Sequence, residues 1–353
     1  MLHSLEIKNY RNLRHLVIPK LGRVNLVIGK NNTGKSSLLE AVAISRSNHI
    51  LNTLTGILAS RGEEINLNDI ERDSKVEKVY SSLFYNSNVS YWDYESAIKL
   101  SSKVDDYSLM IRIGYMLGDS RTGFSVATNE EDLIKYPSRE KIIIFEGKKD
   151  RRTYSLTTNN ILRNHSLNEI ATDEYKYIGP SLSTVINSFL WDIISLTSYK
   201  QQVINALGII EPKILDLDFN SNGEVFILHD ELGKLPLKRM GDGINRILTI
   251  ILKMVTCENG CLLIDEFENG LHYSVQEKLW DIIFQLADKL NIQIFATTHS
   301  DDTIKAFESI MNSNESYKDS QLIKLINIDG DIKQETADAE DLEIIVDGNI
   351  DPR

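Results

Sequence analysis

Residues 29–37 read Gly-Lys-Asn-Asn-Thr-Gly-Lys-Ser-Ser, a full G-x-x-x-x-G-K-[ST] pattern, and no other stretch restricts the fold as strongly. The pattern has its chemistry only between a strand and a helix, and both are legible. Residues 24–28 are a short apolar run that predicts a buried strand, and 37–45 predict a helix with Leu38, Leu39 and Val42 on one side. Gly29 and Gly34 let the backbone of Asn31, Asn32 and Thr33 curl, so that successive N–H groups face phosphate oxygens at the positive end of the helix that carries Ser37. Lys35 would reach the β- and γ-phosphates, and the Ser36 hydroxyl would serve a Mg2+ ion. A chance glycine turn would not bring both flanking elements with it, so the expected ligand is a nucleoside triphosphate.

Composition narrows the setting. The 353 residues are 42% hydrophobic and 25% charged, ordinary for a globular chain and long enough for two domains or for one with a large insertion. No run is long enough to span a bilayer, and the start carries no signal-peptide pattern. Two cysteines, Cys257 and Cys261, are too few for a disulfide framework and lack further zinc ligands nearby, so a cytoplasmic location and a core role are expected. A net charge of −12 argues against bulk coating of nucleic acid. Two local basic patches remain, at residues 148–152 and at Lys234, Lys238 and Arg239; the first reads as a solvated loop face.

Before the P-loop, residues 5–9 and 15–18 predict two edge-type strands. Residues 46–177 hold no nucleotide motif; helices at 51–59 and 75–83 precede strand-like runs at 107–113 and 141–145, separated by polar linkers such as 128–132. The apolar spacing of Leu182, Val185, Ile186, Phe189, Leu190 and Ile193 predicts an amphipathic helix over 181–206 with a break near 195–200. Residues 213–219 and 224–228 read as a hairpin.

Three more motifs follow in order. Gly241-Asp242-Gly243 opens a helix whose stripe is Ile244, Ile247, Leu248 and Ile251, a second anion-suited helix start; alone it would be an ordinary turn and cap. The apolar run 261–264 ends in Asp265-Glu266, a Walker B arrangement. Alternation along a strand would turn the two carboxylates to different tasks, Asp265 toward Mg2+ and Glu266 toward the attacking water. The run 291–296 delivers Thr298-His299 at a strand end; alone His299 would be a plain strand-end histidine, but its place after the Walker B run favours a γ-phosphate contact.

In this order the motifs resemble the ABC-type ATPase heads of the RecF/SMC class, and more narrowly the ATPase domain of the OLD (overcoming lysogenization defect) family. Residues 7–13 (Ile-Lys-Asn-Tyr-Arg-Asn-Leu) are similar to that family's opening segment, residues 240–246 to its "G-D-G-x-x-R" signature, and 265–272 to "D-E-x-E-N-G-L-H". The final residues, 342–353, are similar to the way such domains finish. The resemblance implies an α/β fold: an ABC-type P-loop NTPase head with a mixed central sheet. It implies an N-terminal lobe (1–45), a helical and β insertion (46–177) between P-loop and signature loop, and a C-terminal lobe (178–353). It further implies an ATP- and Mg2+-dependent hydrolase in which Lys35, Glu266 and His299 act on the γ-phosphate. Asp265 would sit by the metal, and Gly241, Asp242 and Gly243 would close the site of a second subunit.

Three departures stand out. The residues before Gly241 are Lys238-Arg239-Met240, where the signature usually has a serine, so the γ-phosphate contact would fall to backbone N–H groups or to Lys238. No Q-loop glutamine is evident, since Gln201 and Gln202 sit within a predicted helix. Only about fifty residues follow His299, too few for the Toprim nuclease of full OLD proteins, and Asp329-Gly330-Asp331 reads as a hairpin turn. The expectation is a homodimer or larger assembly that acts as an ATP-gated sensor or scaffold for a separate effector protein in prokaryotic anti-phage defence. The alternative is a RecF-like ATPase that grips DNA in repair.

Overall fold

The computed structural model describes residues 1–63, 72–119, 123–136, 139–148, 150–156, 174–180, 185–220 and 222–342. In chain order, β1 (Leu5–Tyr10), β2 (Leu13–Ile18) and β3 (Val24–Ile28) lead into α1 (Lys35–Ser45), α2 (Ile50–Ser60) and α3 (Arg72–Ser81). Then come β4 (Ile98–Ser102), β5 (Tyr107–Asp119), β6 (Gly123–Val126), α4 (Glu130–Lys135), β7 (Arg139–Gly147), β8 (Arg151–Ser155) and β9 (Tyr175–Ile178). Helices α5 (Val185–Ile194) and α6 (Tyr199–Ile210) precede β10 (Ile214–Phe219), β11 (Val225–His229) and β12 (Gly233–Pro236). The last part holds α7 (Asp242–Val255), β13 (Cys261–Ile264), α8 (Tyr273–Lys289), β14 (Gln293–Thr297), α9 (Asp301–Ser313), β15 (Ser320–Ile328) and β16 (Asp331–Ala337).

A six-stranded mixed sheet, ordered β16-β15-β3-β14-β13-β9, forms the centre. Its strands run parallel except β16, which returns from β15. Strands buried on both faces need mostly apolar residues: β13 is apolar throughout, while β3 and β14 carry the buried polar residues Asn25, Gln293 and Thr297. Leu26, Leu262 and Ile294 face one core with α5–α9, while Val27, Leu263 and Phe295 face another with α1 and α2. The second core is closed by a seven-stranded antiparallel sheet, β2-β1-β4-β5-β7-β8 with β6 on β5. Helix α1 is therefore a filling between two sheets. Three parallel strands, β3, β14 and β13, deliver the P-loop, Thr298-His299 and Asp265-Glu266 from their carboxyl ends.

Several expectations change in three dimensions. Of the two strands expected at an edge, β2 is one and β1 lies inside, because β4 pairs with it from about ninety residues downstream (Ile7 opposite Leu100). Helix α1 is buried nearly all round rather than on one side, which obliges its Glu40 to find buried partners. The break expected near 195–200 in the helical stretch 181–206 is present, α5 and α6 being parted at 195–198; the predicted start at 181–184 lies outside the described residues. Leu190, Trp191 and Ile194 form the buried face of α5, whereas Ile186, Phe189 and Ile193 are 42%, 46% and 52% exposed. The linker at 128–132 contains the start of α4, capped by Asn129 accepting from Asp132 N.

The Asp329-Gly330 turn joins β15 and β16 with both residues at positive φ, and Gly330 N donates to Asn327 Oδ1 at 2.9 Å. Cys257 and Cys261 are buried free thiols, both pushed up by burial. In the 148–152 patch, Lys148 pairs with Asp106, Arg151 with Glu146 and Arg152 with Asp150, so those charges are locally cancelled. Residues 343–353, and with them nearly all of the expected closing segment, lie outside the described residues. Among the described residues no helix is long and apolar enough to cross a membrane.

Candidate nucleotide site

The P-loop is shaped by its glycines. Gly29 has φ +146°, and a Cβ there would stand 2.4 Å from Leu325 O and 2.7 Å from Thr33 Oγ1. Gly34, at φ +89°, is the residue before α1, and a Cβ on it would meet Leu13 Cδ2 at 2.7 Å. Thr33 is buried and donates to Lys30 O at 2.9 Å, which fixes the bend. Lys35 Nζ folds back on this loop, donating to Gly29 O at 2.7 Å and Lys30 O at 2.9 Å, and lies 3.4 Å from His299 Nδ1. Burial lowers the Lys35 pKa, against the pull of Asp265, Glu268 and Glu266. Its ammonium is thus poised near carboxylates while two backbone carbonyls and the His299 ring hold it.

A cleft of about 790 Å3 opens beside this loop. Asn31, Asn32, Gly34, Lys35, Ser36 and Ser37 line one side, and Asp265, Glu266 and His299 another. Arg11, Asn12, Arg61, Phe84, Asn86 and Ser87 complete the lining, with Asn12 Nδ2 donating to Asn32 O of the P-loop at 3.1 Å. The structure thus gathers the P-loop and the three strand-end residues into one space. Gly241 and Gly243 do not line it. Gly241 is exposed with φ +98°, and Gly243 packs on the loop after Glu268, where a Cβ would meet Gly270 O at 2.8 Å. Asp242 supplies the first residue of α7.

Asp265 and Glu266 diverge for a reason other than strand alternation, because β13 ends at Ile264. Glu266 adopts φ +51°, a left-handed conformation that costs on the order of 1 kcal/mol in a residue with a Cβ. Its N–H donates to Thr297 Oγ1 at 2.9 Å, and its carbonyl accepts from Arg246 Nη2 at 2.6 Å. Asp265 Oδ1 accepts from Thr297 Oγ1 at 2.6 Å and Oδ2 from Tyr177 OH at 3.2 Å. Burial and the Asp265 charge drive the Tyr177 phenol well up, so it stays a donor. Glu268 accepts from Thr298 Oγ1 at 2.8 Å and from His299 N at 2.7 Å, tying the two strand ends together.

Arg246, 1% exposed, reaches from α7 to Asp265 O at 3.0 Å, and more distantly to Gly179 O and Pro180 O. The sequence motifs alone give no role to Thr297, Glu268, Tyr177 or Arg246. Arg246 and Glu268 stood inside recognisable motifs, whereas Tyr177 had no local signal.

The donor set suits a metal carried in by phosphates. Among the described residues no group of three or more His, Cys, Asp or Glu could hold an ion. Ser36 and Asp265 both line the cleft, the sparse protein contribution that Mg2+ uses when a nucleotide supplies further oxygens.

Comparison with known proteins places this geometry. Residues 24–304 match the family described as "AAA domain, putative AbiEii toxin, Type IV TA system". An ATP/GTP phosphatase of Helicobacter pylori is 24% identical over 361 residues, covering 97% of both chains. An uncharacterised protein of Methanocaldococcus jannaschii is 32% identical over 125 residues, 31% of this chain and 57% of that one. An Smc head bound to the C-winged helix domain of ScpA superposes with TM-score 0.54 at 14% identity, over 96% of this chain and 98% of its own. An Smc head with an extended coiled coil, bound to the C-terminal domain of ScpA derived from Pyrococcus furiosus, gives 0.52 at 12% identity over 99% of both. The fold is accordingly an SMC-head-like ABC-type ATPase head.

Proposed function

The chain belongs to this AAA-domain family, and from that premise we propose that it is an ATP hydrolase whose active state is a dimer closed around nucleotide. The observation that carries the reading is the single cleft shared by Lys35, Ser36, Asp265, Glu266 and His299. In this account the P-loop N–H groups and Lys35 hold the β- and γ-phosphates. Glu266 takes a proton from water as its oxygen bonds the γ-phosphorus and the bond to the β-phosphate oxygen breaks, giving ADP and orthophosphate. His299 donates to the γ-phosphate, its backbone held by Glu268. Mg2+, held by Ser36 and Asp265, would neutralise charge on the phosphate oxygens.

Gly241 lies outside its own chain's cleft on an exposed turn at a helix start. That position suits it to a second copy's nucleotide, across a two-fold axis. Mixing two inactive variants tests this. Lys35→Ala loses its own nucleotide and Gly241→Trp loses the closing loop, so heterodimers hold one intact site. Mixtures should regain on the order of a quarter of normal turnover, for random pairing and independent sites. Mixtures no more active than either variant contradict the composite site.

The output we infer is control of a separate effector protein in anti-phage defence. The narrower OLD resemblance and the toxin-system wording of the family description support it, as does a −12 net charge suited to protein partners rather than DNA. Retention of a stoichiometric protein on the ATP-bound Glu266→Gln variant in its native host is the expected result. Retention of DNA alone would favour the repair reading.

A further inference from the structure

A second cavity, of about 540 Å3, adjoins the nucleotide cleft and has Ser36, Arg61 and Asp265 in common with it. It extends away from the P-loop past the end of β9, bounded by Gly179 and Pro180, by Lys253 of α7 and by Ile186 of α5. None of the motifs accounts for it. Its polar lining holds four charged side chains, Glu40, Arg61, Lys253 and Asp265, beside neutral hydroxyls. Lys253 Nζ donates to Tyr177 O at 2.5 Å, and Arg61 Nε donates to Glu40 Oε1 at 2.6 Å. Glu40 also accepts from Tyr10 OH at 2.9 Å. Lys253 uses one of its three donors on Tyr177 and lines the chamber with the rest.

We propose that this chamber is the exit route and transient binding site for the orthophosphate product, an inference that rests on the hydrolase reading above. Three features carry it. The chamber opens from Ser36 and Asp265, the end of the cleft where the γ-phosphate is cut free. Two cations, Arg61 and Lys253, stand along it. Ile186, half exposed on α5, lies at its outer limit. An anion leaving this way passes from the P-loop to Arg61 and Lys253 without displacing ADP, which stays held by the P-loop. The four charged side chains of the chamber, Arg61, Lys253, Glu40 and Asp265, balance one another, and a divalent cation at Ser36 and Asp265 would tip the sum positive. Phosphate would therefore be held best while the metal remains.

Single-turnover experiments on the full chain with ATP and Mg2+ separate the steps. Rapid quench reads bond cleavage, and a fluorescent phosphate sensor reads release. Lys253→Met removes a cation, and Ile186→Trp narrows the outer limit at a half-exposed position that tolerates bulk. In both, release should lag behind cleavage by about tenfold relative to the unmodified chain, and Lys253→Arg should restore it. Release that keeps step with cleavage in both variants overturns the exit route. Absence of cleavage in the unmodified chain would instead refute the hydrolase reading.

Discussion

Arg246→Met asks how much one buried side chain contributes to the site. Arg246 is an arginine at 1% exposure whose hydrogen bonds all go to backbone carbonyls, at 2.6 and 3.0 Å to Glu266 and Asp265 and at 3.4 and 3.5 Å to Gly179 and Pro180. Burial lowers its pKa while the Glu268, Glu266 and Asp265 carboxylates oppose that shift. Hydrogen bonds from a charged donor contribute roughly 1.5–3 kcal/mol each, so the two short ones amount to about 3–6 kcal/mol. Methionine fills similar space and removes a desolvated charge, which returns part of that sum. Glu266 O keeps its bond from Asn269 N, but Asp265 O has no other donor among the described residues. The net loss should be about 3 kcal/mol, read as a shift of the urea midpoint at unchanged slope. Glu266 is held in its left-handed turn partly by this contact, so turnover should fall further than stability alone requires. A stability loss below about 1 kcal/mol with normal turnover would refute the argument that Arg246 fixes the Walker B end.

Other substitutions probe separate links. Gly29→Ala forces a Cβ to 2.4 Å from Leu325 O, so calorimetric titration with a non-hydrolysable ATP analogue should show binding weakened at least tenfold, at a cost of about 1–3 kcal/mol; unchanged affinity would contradict the packing reading. Asp105 is opposed by burial but held by hydrogen bonds from His3 and Ser102, which bring its pKa down to about 2. A depressed carboxylate contributes above its unfolded pKa and loses that contribution as pH falls toward the folded value; because the His3 partner is half exposed and the pair is screened by solvent, Asp105→Asn should cost no more than about 1 kcal/mol at neutral pH and progressively less below about pH 3.8. A cost independent of pH down to the acid limit would refute that linkage.

The site was more legible than the fold around it. The P-loop, Asp265-Glu266 and His299 announce themselves because phosphate chemistry fixes residue type and spacing locally. The mixed central sheet was implied by the family resemblance; the apolar runs showed only single strands such as β3, β13 and β14. What escaped depends on partners far away in the chain. Nothing near β1 says that residues about ninety positions later will cover its open edge. The stripe on α5 showed that one face is apolar, yet the neighbouring face is apolar too, and packing on α7 through Asn187 and Thr249 selects Leu190 and Ile194 for burial. Tyr177 reaches Asp265 only because β9 pairs in parallel with β13, with Tyr177 opposite Leu263, a register that no local pattern encodes.

Paired measurement of ATP affinity and ATP turnover on Glu266→Gln, with Lys35→Ala beside it, tests the central claim most directly. The glutamine keeps the shape of Glu266 but cannot accept the proton of water, so affinity should stay within a few-fold of the unmodified chain while turnover falls by at least a hundredfold. Lys35→Ala should lose binding itself. Turnover in Glu266→Gln equal to that of the unmodified chain would contradict the assignment of Glu266 as the base that this cleft is built around.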